Sequence, residues 1–279
     1  MNKLILTADS GSTKTDWLLH DGQQLAARIS TQGINPFMLD SKGIAQILRD
    51  ELLTDEHFRM PDVVAFYGAG CRGELCNVVE LALRRAIPSA QKVTVGSDLL
   101  GAAIALCGEQ DGIACILGTG SNSGLYIKGE VVENVSPLGY ILGDEGSGAV
   151  LGRRLIGDVL KGMMPTTICR DFCEEYGLSV DEIIQRVYRE PLANRFLASF
   201  APFLSRHRND EAIHALLTDE FARFFRRNVM AYGRKDLPVS FVGSVAYFFQ
   251  DELKDVAKDF ELSVGRILKN PLDAWDVNK

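Results

Sequence analysis

The sequence predicts an α/β fold in two lobes, and three observations point to it. In LILTADSGSTKTDWLLHDG, from Leu4 to Gly22, an apolar run ends in an acid, a turn of small residues follows, and a second apolar run begins. The same unit returns as CILGTGSNSGLYIKGE from Cys115. Gly11-Ser12 matches Gly120-Ser121 at an offset of 109, and Leu18 to Gly22 matches Leu125 to Gly129 at an offset of 107, so the second turn is two residues shorter. One unit repeated at the heads of two halves indicates a duplicated domain. The third observation is a set of strand-like runs passing into helical ones: DVVAFY before ELCNVVELALRRAI, KVTVGSD before LLGAAIAL, and VSFVGSVAYFF as strand, turn and helix. CGEQDG, Cys107 to Gly112, breaks a helix and sets the expected lobes at 1–110 and 111–279.

The first hairpin invites comparison with a Walker loop, which needs Gly-Lys-Ser/Thr opening into a helix. Here Lys14 follows Thr13, and TDWLLHDG suits a strand better than an amphipathic helix. A Gly/Ser/Thr hairpin tip can still cradle phosphate, because small residues let backbone N–H groups point at an anion. Thr13 and Lys14 add a hydroxyl and an ammonium, and Asp9 at the strand end could hold Mg²⁺ directly or through water. Taken alone, the stretch is equally an ordinary polar turn. Two such hairpins facing across a cleft would hold ATP between the lobes.

GAGCRG, with Gly68, Gly70 and Gly73, fits the dinucleotide fingerprint, and Asp98 stands about where a ribose-binding acid would. Asp98 runs straight into LLGAAIAL, however, which puts it at a helix N-terminus, and a dinucleotide domain has no use for two hairpin turns. The simpler reading is that Gly68 and Gly70 let a strand turn sharply into its helix. SVDEIIQRVY, LANRFLASFAPFL and EAIHALLTDEFARFFRRNVMAY have helical patterning and are expected to cover the second sheet and offer a dimer face. No motif is legible between about 150 and 235, where Arg153-Arg154 and Arg226-Arg227 read as exposed helix faces.

Composition narrows the classes further. The chain has 279 residues, 46% apolar and 24% charged, with a net charge of −7 and no basic block of the kind that tracks a nucleic-acid backbone. No apolar run approaches the ~20 residues of a membrane span, and MNKLILTADSG lacks the apolar length of a signal peptide. Six cysteines without a CxxC are expected to be free thiols in a reducing compartment, so a cytoplasmic location is expected.

The motifs in their order resemble the N-acetylglucosamine kinase branch of the sugar-kinase/heat-shock/actin superfamily, grouped with the BadF/BadG/BcrA/BcrD-type ATPases. The resemblance rests on DSGSTKT at 9–15, GIN at 33–35, YGAGC at 67–71, SDLLGAA at 97–103, LGTGSNS at 117–123, GYILGDEGSG at 139–148 and VGSVA at 242–246. It implies an actin-like, ribonuclease H-like α/β fold with a central ATP/sugar cleft, an ATP-dependent amino-sugar kinase with Mg²⁺, and a homodimer. Carried over by position, it implies a first phosphate loop of Ser10, Gly11, Ser12, Thr13, Lys14 and Thr15 after Asp9, and a second of Gly118, Thr119, Gly120 and Ser121. Gly243 and Ser244 would lie beside the adenosine; Asn35, Asp98, Asn122, Gly139 and Asp144 would line the sugar, with Asp98 the catalytic base. One departure stands out. Where the family often has Gly-Gly-aromatic-Gly before GDEGS, this chain has Ser136, Pro137, Leu138 and Gly139, which leaves N-acetylglucosamine, glucosamine and N-acetylmuramic acid all open as substrates.

The chemistry is coherent without the resemblance. Phosphoryl transfer needs a phosphate cradle, a divalent metal and a group that orients the attacking hydroxyl. A carboxylate at a helix N-terminus suits that last role, although Ser97 or Asp98 could equally act only as a cap. GDEGSG offers Asp144 and Glu145 in a glycine setting, or simply a turn with acids placed before a helix. Two other functions share the fold: an ATP-driven activator of an iron–sulfur dehydratase, using Cys71 with Cys107 or Cys115, and a non-catalytic ATP- or sugar-responsive binding protein.

Overall fold

The two hairpins of the sequence become the centres of two sheets with the same strand order. A computed structural model describes residues 3–11 and 14–275. Ser12 and Thr13, expected in the first phosphate loop, lie outside the described residues. The chain divides into two units, Met1–Gly108 with Asn270–Lys279, and Glu109–Lys269.

The first unit contains β1 (Leu4–Ser10), β2 (Lys14–Asp21), β3 (Gln24–Gln32), α1 (Ser41–Ile47), β4 (Val63–Gly68), α2 (Leu75–Ala86), β5 (Lys92–Ser97) and α3 (Asp98–Cys107). Its sheet runs β3-β2-β1-β4-β5, with β1–β3 an antiparallel meander and β4 and β5 joining in parallel. A doubly wound dinucleotide sheet is parallel where this one meanders. Alternation along β1 decides the faces: Leu6 and Ala8 enter a core with Trp17, Phe66, Val79 and Leu83, so Ile5, Thr7 and Asp9 point to the other side. That second face receives α3, which packs on β1, β4 and β5. The approach is close because Gly101 has no side chain; a Cβ there would stand 2.5 Å from that of Tyr67, the β4 residue beside Asp9.

The sequence reading runs the second lobe through to residue 279, whereas the segment from Asn270 belongs with the first unit. Leu272 is buried, the Trp275 carbonyl sits 2.7 Å from His20 Nε2, and the Trp275 ring stacks on Tyr67. Burial of Leu272 and stacking of the half-buried indole, at long sequence separation, return the chain there.

The second unit contains β6 (Gly112–Leu117), β7 (Ser121–Ile127), β8 (Glu130–Glu133), α4 (Gly139–Leu142), α5 (Gly148–Leu160), α6 (Thr166–Tyr176), α7 (Val180–Tyr188), α8 (Ala193–Ala198), α9 (Ala201–Arg206), α10 (Glu211–Phe224), β9 (Val239–Val242), α11 (Ser244–Phe248), α12 (Gln250–Asp259) and β10 (Val264–Leu268). Its sheet, β10-β9-β6-β7-β8, repeats the first with β6 in the place of β1. Here β6 and β7 are buried almost throughout, and phenylalanines, among them Phe200, Phe221, Phe224 and Phe241, fill the core between sheet and helices. Among the described residues no helix is long and apolar enough to cross a membrane.

Candidate active site

The first unit brings Asp9 of DSGSTKT and Asp98 of SDLLGAA close enough to act on one another electrostatically. Asp9, one residue before the end of β1, pairs across the ladder with Asp16; Asp98 is the first residue of α3, whose N-cap Ser97 accepts the Leu100 amide at 3.1 Å. Asp98 Oδ1 accepts its own helix's Leu99 amide at 2.8 Å. Burial pushes the Asp98 carboxyl above its ordinary pKa, with the Leu99 N–H and the Arg72 guanidinium acting the other way. Asp9 is raised to about 7, by burial first and then by the negative charges of Asp98 and Asp16, against Lys14. Two half-buried carboxyls on one face, one raising the pKa of the other, describe a site short of positive charge.

The neighbouring polar residues have internal duties. Ser10 and Thr15 turn inward: their hydroxyls meet at 2.7 Å, and both accept the Ile34 amide, tying the hairpin to the GIN segment. Gly11 closes the turn by donating to the Lys14 carbonyl at 2.9 Å, and Lys14 Nζ pairs with Asp16 at 2.8 Å. Asn35 Oδ1 accepts the Phe37 amide in an Asn-Pro turn. In YGAGC, Cys71 is buried, and burial pushes its thiol up to about 12.

The second unit brings three separated motifs into one patch. Gly118 and Thr119 of LGTGSNS accept, on their carbonyls, the Gly148 and Ala149 amides at the start of α5, at 2.8 and 3.1 Å. Gly243 of VGSVA packs against the same loop with φ +122; a Cβ there would stand 2.2 Å from the Leu117 carbonyl oxygen. Asp144, with φ 52, lies on the Gly120–Ser121 turn, where the Ser121 N–H reaches its carboxylate. Burial raises this carboxyl to about 6, with Glu145 adding to the rise and the Ser121 N–H opposing it. Asn122 is engaged within the sheet, accepting Ser123 N–H and Asn134 Nδ2. Gly139 opens the short α4, whose Arg153 contact is to the Tyr140 carbonyl. Ser244 and Val245 begin a wall of a cavity of about 380 Å³ completed by Ser199, Pro202, Arg206 and Phe248.

Sequence reasoning misses the supports beneath GDEGSG. Arg154, read as an exposed helix face, is half-buried and ion-paired with the buried Glu220, while Arg227, exposed as expected, also pairs with the buried Glu145. The sequence signal for them is no more than acids and arginines spaced along otherwise apolar helices. Among the described residues no cluster of three His, Cys, Asp or Glu could hold a metal by itself. The Asp9 carboxylate, in its deficit of positive charge, fits a cation that keeps water and phosphate oxygens as its other ligands.

No family model matches the chain. A solved structure described as a candidate N-acetylglucosamine kinase of Porphyromonas gingivalis is 48% identical, with a TM-score of 0.93 over 97% of this chain and 96% of that one. A curated glucosamine kinase of Vibrio cholerae is 30% identical over 119 residues, 41% of this chain; the match spans about 40% of that relative's length. A ROK family glucokinase of Streptomyces griseus, solved with glucose and AMPPNP, shares the fold at 14% identity and a TM-score of 0.61, covering 98% and 96% of the two chains.

Proposed function

This chain belongs to the N-acetylglucosamine-kinase-like family, with the actin-like fold of the sugar kinases, and on that premise we propose that it is an ATP-dependent kinase of an amino sugar. The observation that carries the reading is the pair of interacting carboxyls in the first unit, Asp9 near a strand end and Asp98 at a helix start. Asp98 is the general base. Its raised pKa brings it nearer the operating pH, where a base accepts a hydroxyl proton most effectively. Asp9 holds Mg²⁺, which when bound offsets the charge on the phosphates.

The second unit supplies the nucleotide side of the reaction. Gly118, Thr119, Gly120 and Ser121 form the phosphate turn, and the cavity beside Gly243 and Ser244, with Val245 and Phe248 in its wall, takes the adenine. Ser10, Gly11 and Thr15 shape the first hairpin rather than contact phosphate through their side chains, since both hydroxyls are internally bonded. Asn35, Asn122, Gly139 and Asp144 line the sugar, with Asn35 and Asp144 binding its hydroxyls. The substrate class follows the names of the relatives, N-acetylglucosamine and glucosamine. Choice between them falls to the Ser136-Pro137-Leu138 segment, where the Pro137 carbonyl accepts the Asp144 amide at 2.9 Å and Leu138 is left-handed.

The test is ADP release with Mg·ATP across hexoses, amino sugars and their N-acyl and lactyl derivatives, with Asp98→Asn alongside. Sugar-dependent release that the substitution abolishes supports the kinase and names its substrate. Tight ATP binding with no sugar stimulating release overturns it.

A further inference from the structure

The stretch from Glu211 to Val229 has no recognisable motif, yet the GDEGSG loop rests on it. Glu220 of α10 is fully buried. Its Oε1 accepts the Gly146 amide at 3.3 Å, and its Oε2 accepts Arg154 Nη1 of α5 at 2.7 Å. Asp219 holds the same arginine nitrogen at 2.6 Å, and Arg223 stands 3.7 Å from Glu220. One turn further on, the helix widens into a π-helical turn, Phe225–Val229, a local form frequent at functional sites. From that turn Arg227 reaches Glu145 at 2.5 Å and Asn228 reaches the same carboxylate at 3.3 Å.

Glu145 and Gly146, the two residues after Asp144, are therefore both anchored from below. Asp144 has a left-handed backbone, which costs free energy for any residue but glycine and persists only where the surroundings enforce it. The anchors supply that enforcement, and they leave the Asp144 carboxylate as the acid of the pair turned to the LGTGS loop.

We propose that Glu220 is a positioning residue for phosphoryl transfer: neutralised by Arg154, it fixes the Gly146 amide and so holds Asp144 on the Gly120–Ser121 turn in the geometry that receives the sugar. This rests on the kinase reading above. The competing account is that Glu220 and Arg154 form an ion pair of structural value only.

The experiment compares wild type with Glu220→Gln, Glu220→Ala, and the double variant Glu220→Met with Arg154→Met. Replacing a whole buried ion pair by apolar side chains of similar volume is commonly tolerated, so the double variant should fold while lacking the acceptor for Gly146. Two quantities are read: sugar and ATP KM, and hydrogen exchange of the segment 144–148. Positioning predicts a sugar KM about tenfold higher in the double variant, ATP KM within twofold, and exchange at 144–148 at least tenfold faster with β6 and β7 unchanged. Glu220→Gln, which retains an acceptor oxygen, should restore sugar KM to within threefold of wild type. A folded double variant with wild-type sugar KM and wild-type protection of 144–148 overturns the proposal. Wild type with no sugar-dependent turnover overturns the kinase reading instead, and exchange then still decides whether Glu220 fixes the loop.

Discussion

The two units share a strand order but differ in which of their acids find a charged partner. In the first, Asp9 and Asp98 have their pKa values raised by burial, and Asp98 adds repulsion to Asp9. In the second, Glu220 is fully buried yet bonded to Arg154 and the Gly146 amide, and Glu145 to Arg227 and Asn228. A duplicated sheet has diverged into one end that stores electrostatic strain in both its acids and another where Glu145 and Glu220 are neutralised to set a loop, leaving the strain on Asp144, which burial raises to about 6. Strain of the first kind suits a group that must exchange a proton or hold a cation; neutralisation suits a group that must stay still.

That contrast can be broken most sharply at Asp98. Replacing it with asparagine should lower kcat by about a thousandfold, the usual range for losing a general base, with sugar affinity by calorimetry changed less than about threefold. Turnover near wild type would leave the first unit's strain without a catalytic purpose.

Next in size is Gly243→Ala. A methyl 2.2 Å from the Leu117 carbonyl, on a backbone at φ +122, should cost about 3 kcal/mol in denaturant unfolding and detach VGSVA from the phosphate turn. ATP affinity should fall with it. The strained acids of the first unit should keep their titration, which spectroscopy of the carboxyl groups would follow.

Asp9→Asn should act in the opposite direction on stability. Folding raises this carboxyl from 3.8 to about 7, so its protonation favours the folded state fully below pH 3.8, and that advantage is lost as pH climbs to about 7. Removing the charge should therefore stabilise the metal-free protein at pH 8 by on the order of 2 kcal/mol, allowing for partial exposure, and hardly at all at about pH 4. Thermal unfolding at the two pH values without Mg²⁺ measures it. Destabilisation at pH 8 would show that Asp9 is compensated after all.

The smallest effect is expected at Arg227→Ala. The arginine is 55% exposed and Glu145 keeps Asn228, so a loss of about 0.5–1 kcal/mol is expected, seen as a small shift in the denaturation midpoint.

Much of the first unit's half of this contrast is legible in the sequence. Asp98 falls at a helix start because Ser-Asp before an apolar run is a local signal, and the hairpins can be paired because their turns repeat. The second unit's half is not. The partners of Arg154 and Arg227 are missed because nothing near them in the chain is that partner; the Arg154 bond spans 66 positions to Glu220, and Asn228 lies 83 positions from Glu145. Ser10 and Thr15 look like phosphate ligands because a turn rich in hydroxyls is ambiguous until the Ile34 segment folds over it.

The sequence by itself determined the α/β elements, the duplicated hairpins and the residues of the loops, since hydrophobic period, turn chemistry and helix capping act within a few residues. Only the tertiary structure decided which acids are strained, which are neutralised, and that the chain from Asn270 returns to the first sheet. The physical reason is range: desolvation and ion pairing depend on what packs around a charge, and packing joins residues that the chain holds far apart.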